Sequence, residues 1–461
     1  MYSIKLAKFV SDIKYEDLGN DVIDMTKKSI MDYIGVSIAG YDKEASLILG
    51  KYIDEQNEQN LEGQANVLRP GFPKVKYPYA AFINAAYGHA LDFDDLHSSS
   101  IVHPGVVTIP TAFALGQHLN KSGRDVIAAI VAGFEVATRV GEAINPSSYW
   151  YWHTTAIAGN FSSAATAGNL MNLDGVEMNH CFGSAGSQAA GLWEFINDGA
   201  MTKMLHVAKA NMNGIIAAEL AALGFTGATR ILEGDKGLVK AIAPKYDLDK
   251  LTMNFGKPYK VMENSFKAYA CCRHTHSANY AIEEIVRKYK IKAQDIKTIV
   301  DKTYGPAIDF TDNANPQTTY AHKFSLQYCI SALLVYGNLS EEIFTEEKIN
   351  NPLVQDTMKK VTVCLNEEIN DIFTKNPDKW IHDLEVETLD GRILRERVEY
   401  PIGDVNNPFD WDMTENKFKT LLEPYLSKYE IESLIGNIHK FDELDNINEL
   451  FSIKNTDVAY Q

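Results

Sequence analysis

The stretch HALDFDDLHSSSIVHPG, residues 89–105, holds three histidines and three aspartates in a segment without helical or strand periodicity. Imidazoles titrate near neutral pH, so they can take a proton from carbon or return one. A carboxylate such as Asp92 beside His103 would fix the tautomer of that ring and raise its basicity. Three further segments carry cations or imidazoles on apolar or small-residue backgrounds. YWYWHTTAIAGN places His153 after an aromatic run. MTKMLHVAKA brings Lys203, His206 and Lys209 to the start of an Ala-rich helix. FKAYACCRHTHSAN crowds Lys267, Arg273, His274 and His276 together.

Taken singly, each has a plainer explanation. The aspartates could be helix caps, the lysines an exposed helix face, and Cys271 and Cys272 small buried hydrophobes. The YWYW aromatics could be core or interface packing. Taken together, they suit a di- or tricarboxylate. Lys203, Lys267 and Arg273 could hold its carboxylates while a histidine pair moves a proton next to one of them. The same His/Asp residues could ligate a metal, but no HExxH helix or other clear ligand spacing occurs, and the expectation is no metal. With no GxGxxG or P-loop pattern, no nucleotide cofactor is expected.

Elements must position these groups. At 461 residues the chain calls for two domains. To about Lys260 the pattern is helical, as in RDVIAAIVAGFEVATRVGEAI, and the opening residues read as one amphipathic helix interrupted by charges. Beyond it, IKTIVDKTY and KVTVCLN read as strands, and DLEVETLDGRILRERVEYP as a hairpin about Asp390-Gly391. The expected architecture is mostly α. A large helical domain takes residues 1–262 and 404–461, and a smaller α/β domain residues 263–403. A helical tail after such an insertion should pack back on the first domain.

Bulk composition narrows the classes. The net charge of −17, from 61 acidic and 44 basic residues, argues against nucleic-acid binding. Five scattered cysteines do not make a disulfide scaffold, and neither a secretory leader nor a membrane-spanning apolar run is visible. A cytoplasmic location is expected.

The four segments, in this order, resemble the MmgE/PrpD family. The resemblance begins at LAKFVSDIKYEDL and DYIGVSIAG and continues through HALDFDD, HPG and TKMLHVAKANMNGIIAAELAALGFTG. It goes on through KAYACCRHTH and KFSLQYC and reaches GDVNNP. It implies a helical domain with a smaller α/β lid, a homodimer, and chemistry without a metal or organic cofactor. Asp92, His103, His153, Lys203 and His276 fall on the family's site positions, and Lys267 and Arg273 match its common basic residues. The implied roles make His103 and His276 the acid/base pair in unassigned order. Lys203 and Arg273 would neutralise carboxylates or enolate-like charge. Asp92 would orient a histidine or hold the substrate, and His153 and Lys267 would bind it.

Some positions depart from the family's branches. Leu96 stands where the decarboxylase branch has Thr, with one extra residue before His103, and Phe310 falls where that branch has a site tyrosine. Tyr304 could substitute only with a local shift. The DYND and HPSDN style of the dedicated 2-methylcitrate dehydratases is missing too, and DFDD with HPG resembles more the MmgE and epimerase branches. The expected activity is a 2-methylcitrate dehydratase-like hydro-lyase. An epimerase of the iminodisuccinate type is the alternative, followed by a cis-aconitate decarboxylase. A catalytically silent dimeric binding protein is the non-enzyme alternative.

Overall fold

Seventeen consecutive buried residues, Thr154–Leu170, form the helix around which the first unit of the chain is built. The computed structural model describes residues 1–57, 64–71 and 74–451. It divides into a helical unit, residues 1–90, 94–264 and 410 onward, and an α/β unit, residues 91–93 and 265–409.

The helical unit includes α1 (Asn20–Gly40), α2 (Tyr77–His89), α3 (Pro104–His118), α4 (Gly123–Ile144), α5 (Thr154–Leu170) and α6 (Thr202–Ala222). Small residues let these helices approach closely. A Cβ on Gly159 of α5 would lie 2.6 Å from Val107 Cγ1 on α3 and 3.1 Å from Ala210 Cβ on α6. Hydroxyls and amides satisfy one another across the same seams. Thr108 and Ser162 hydrogen-bond at 2.7 Å, and Ser163 Oγ donates to the Ala210 carbonyl at 2.6 Å. Pro110 inside α3 has no N–H for the Val106 carbonyl, and Asn211 Nδ2 of α6 donates to that carbonyl at 3.0 Å instead. The opening is not one helix. Tyr2–Asp12 ends at an extended Ile13, and α1 begins only after an extended Gly19.

The α/β unit holds α7 (His276–Tyr289), β1 (Ile296–Thr303), α8 (Leu326–Tyr336), β2 (Val361–Leu365), β3 (His382–Thr388) and β4 (Ile393–Val398). The sheet order is β2-β1-β3-β4, with β1 and β2 parallel and the other pairs antiparallel. β3 alternates strictly, burying His382, Leu384, Val386 and Thr388. Gly391, at φ 86°, turns the β3–β4 hairpin where the sequence places it. The chain then returns to the helical unit in α9 (Trp411–Leu422), where Lys417 pairs with Asp32 of α1 at 2.6 Å. The protein is mostly α with one small mixed sheet, as its periodicity implies.

Candidate active site

In the helical unit, three helices begin among the candidate residues. His103 is the N-cap of α3, with Pro104 as its first helical residue. His153 is the N-cap of α5, and its backbone N–H donates to the Gly191 carbonyl at 3.0 Å. Lys203 is the second residue of α6 and is buried. The His103 N–H donates to Thr155 Oγ1 in the first turn of α5 at 3.2 Å, which ties two of these helix starts together. Helix N-termini carry partial positive charge and free N–H groups, so this wall favours anions before Lys203 adds its full charge.

His89, the last residue of α2, completes the cluster. Its ring centroid lies 5.0 Å from that of His103 and 5.8 Å, nearly parallel, from that of His153. His153 Nδ1 lies 3.1 Å from His206 Nδ1, and the Trp193 ring is 4.7 Å from His153. Burial pushes His89 down to about 4, and the charge of Lys203 adds to this against the pull of Asp94. Burial, then His89 and Lys203, holds His153 well below the usual imidazole range. Burial and Lys203 lower His206 to about 4. These rings are neutral at pH 7.

The carboxylate beside His103 is Asp94 rather than Asp92. Asp94 Oδ2 accepts from His89 Nδ1 at 2.7 Å and lies 3.3 Å from His103 Nδ1. Burial works to raise the Asp94 carboxyl, yet His103 and His89 bring it well below its ordinary value. Both oxygens of Asp95 accept from the Gly105 N–H at the start of α3, at 3.0 and 3.1 Å, and Asn264 Nδ2 donates to Asp95 at 2.8 Å. Burial, then the charges of Asp32 and Asp94, raises its carboxyl well above the usual range. His97 is a strap, bonded to Ser100 Oγ at 2.9 Å and Glu263 at 3.0 Å.

Asp92 is placed differently. It sits in the left-handed region at φ 54° and belongs to the α/β unit with Leu91 and Phe93. There Lys267 pairs with its carboxylate at 3.3 Å and donates to its carbonyl at 2.7 Å. In the same unit Arg273 pairs with Asp404 at 3.0 Å and reaches His276 Nδ1 at 3.4 Å. His276 Nε2 donates to the Cys271 carbonyl at 3.2 Å. Burial, then Arg273 and Lys267, holds His276 well below its ordinary value, so it is neutral with Nδ1 as its acceptor. Tyr304 donates to His274 Nδ1 at 2.8 Å, and Phe310 stacks on His274. Both Tyr304 and Phe310 thus serve the packing of His274. A cavity of about 650 Å³ in this unit, lined by Asn315, Gln317, His322 and Gln355 among others, includes none of the candidate residues.

The candidates therefore form two groups. His103, His153 and Lys203 lie in the helical unit; Asp92, Lys267, Arg273 and His276 lie in the α/β unit. Sequence reasoning placed Asp94 and His206 in chemistry-bearing segments without giving them a role, and singled out His89 only as part of its loop. A usable signal existed for His206, three residues after Lys203 and so on the same face of α6. Ligand atoms of His89, Asp94 and His103 fall within 4.8 Å of one another, a donor set able to hold a cation, although Lys203 acts against positive charge there. At the second such group, His97, Glu142 and Glu263, the Lys260 ammonium already pairs with both carboxylates.

Comparison with known proteins bears on what these groups do. The family described as the MmgE/PrpD N-terminal domain matches residues 4–251, and the MmgE/PrpD C-terminal domain matches residues 269–439. A cis-aconitate decarboxylase of Aspergillus terreus (strain NIH 2624 / FGSC A1156) is 26% identical, over 98% of this chain and 96% of its own length. The Homo sapiens cis-aconitate decarboxylase is 25% identical, over 97% and 93%. A probable 2-methylcitrate dehydratase of Saccharomyces cerevisiae (strain ATCC 204508 / S288c) is 31% identical, but over only 31% and 29%.

Proposed function

The chain belongs to the MmgE/PrpD family, and from that membership we propose that it is a lyase acting on a small polycarboxylate by proton transfer at a carbon next to a carboxylate. The observation that carries this reading is the wall of the helical unit. A buried lysine, three helix starts and neutral imidazoles favour an anion and leave bases free to accept a proton. Among the described residues, His89 Nε2 and Trp193 Nε1 are buried there without hydrogen-bond partners, one an acceptor and the other a donor for a bound ligand. His103 takes or returns the proton, His153 binds the substrate, and Lys203 stabilises the charge that develops on its carboxylate. Within the α/β unit, Arg273 is proposed as a carboxylate partner and His276 as an acid/base group, with Asp92 and Lys267 as the charged pair of that group. No metal or organic cofactor is invoked. A homodimer fits Trp150, Tyr151 and Leu192, exposed by 80, 65 and 54%.

Elimination of water from a 2-methylcitrate-like substrate is the first reading; Leu96 and Phe310, without the hydroxyls of the decarboxylase branch, count against decarboxylation. Decarboxylation of cis-aconitate is the second, supported by similarity to the decarboxylases along nearly the whole chain. Proton NMR in D2O with citrate, 2-methylcitrate, cis-aconitate and iminodisuccinate separates them. A change in alkene signal without carbon loss indicates a hydro-lyase. Loss of CO2 from cis-aconitate indicates the decarboxylase, and deuterium uptake alone indicates an epimerase. Inertness toward all four compounds would overturn the reading.

A further inference from the structure

Two imidazoles compete for one carboxylate in the helical unit, and the outcome decides which nitrogen of His103 is free. Asp94 is fully ionised and can only accept. His89 Nδ1 is 2.7 Å from Asp94 Oδ2, so that nitrogen carries the His89 proton. The neutral ring then has a bare Nε2, which is the atom found buried and unpartnered. His103 Nδ1 lies 3.3 Å from the same oxygen, within ion-pair distance but without hydrogen-bond geometry, and among the described residues it has no hydrogen-bond partner. The Asp94 side chain is 2% exposed and that of His89 0%, while that of His103 is 12% exposed. His103 is thus the most exposed of the three groups.

We propose that Asp94 is the positioning residue of His103: it keeps the proton on Nδ1, presents the bare Nε2 to the substrate, and is itself held in place by His89. Asp94 touches no reacting atom. When His103 Nε2 takes a proton from the substrate carbon, the ring becomes a cation whose Nδ1–H faces the Asp94 carboxylate, and the pair is favoured over an isolated imidazolium in a buried site. The catalytic part rests on the proton-transfer reading above; the tautomer part does not.

The test therefore has two arms. In the first, the full-length protein labelled with 15N-histidine is examined by long-range proton–nitrogen NMR at pH 8, with His103→Gln identifying the His103 signals. His89 and His103 should both show a protonated Nδ1 and a bare Nε2, and Asp94→Asn should abolish the preference at His103. A wild-type His103 protonated on Nε2 would overturn the proposal without any variant. In the second arm, turnover of cis-aconitate and 2-methylcitrate is compared among wild type, Asp94→Asn and Asp94→Glu. Asp94→Asn should lower kcat by about 10²–10⁴-fold with KM little changed, and Asp94→Glu should recover part of the loss. Unchanged kcat in Asp94→Asn would sink the catalytic role. If neither compound is turned over by the wild type, the lyase reading fails, and the tautomer result alone decides whether Asp94 positions His103.

Discussion

His89 shows how strongly a single residue's surroundings govern its chemistry here. Burial lowers it to about 4, lowers His206 to about 4 and His274 to about 3, and holds His153 and His276 well down. The ordinary value is 6.5, so between pH 6.5 and about 4 the unfolded chain takes up protons that these folded rings refuse. Stability should therefore fall as pH drops through that window. Asp94 and Glu263, lowered by their partners against the effect of burial, add the same trend only near and below pH 4. Asp95, Glu135 and Glu283, raised by burial, act in the opposite sense. Calorimetry should give a lower Tm at pH 5 than at pH 7, and an equal or higher Tm at pH 5 would show that the buried rings do not outweigh the raised carboxyls. These residues were only partly legible beforehand. The sequence flagged the polar loop, and Asp95 proved to accept from the Gly105 N–H in the first turn of α3, ten residues along the chain, while His103 is the N-cap of that helix. It could not say that Asp94 faces His103 while Asp92 faces Lys267.

Among the helices, the most exacting junction is the start of α3, because it sets His103. Asp95 grips the Gly105 N–H with both oxygens, which requires the backbone to come close. A Cβ at Gly105 would lie 2.7 Å from Asp95 Oδ2 and 2.9 Å from Oδ1. Gly105→Ala should therefore push Asp95 away and destabilise the protein by about 1–3 kcal/mol, read from the urea midpoint. It should also lower turnover beyond what the stability loss explains, since the His103 ring moves with that helix start. A variant as stable and as active as wild type would remove the argument. The helix itself was plain from its small and apolar residues, and so were the strands and the Asp390-Gly391 hairpin. The break after Asp12 was not, because the same spacing of apolar residues continues across it.

Across the whole molecule, the exposed apolar group at Trp150, Tyr151 and Leu192 leads to a prediction about assembly. These residues lie on neighbouring segments, since Trp152 bridges to Leu192 and the Trp193 N–H donates to the Tyr151 carbonyl. Light scattering should give about twice the chain mass of 51.4 kDa, and Trp150→Asp combined with Tyr151→Ser should shift it toward one chain. A wild-type mass of a single chain would end the homodimer proposal. Among the described residues no helix is long and apolar enough to cross a membrane. By itself the sequence determined the mostly helical architecture, the small α/β sheet and the family, because periodicity and ordered motifs are local properties that survive in one dimension. Only the tertiary structure decided the pairings: Asp94 with His89 and His103, Asp92 with Lys267, and His153 with His206. In an aperiodic loop the direction of each side chain follows from φ and ψ rather than from spacing, and Asp92 itself lies in the left-handed region.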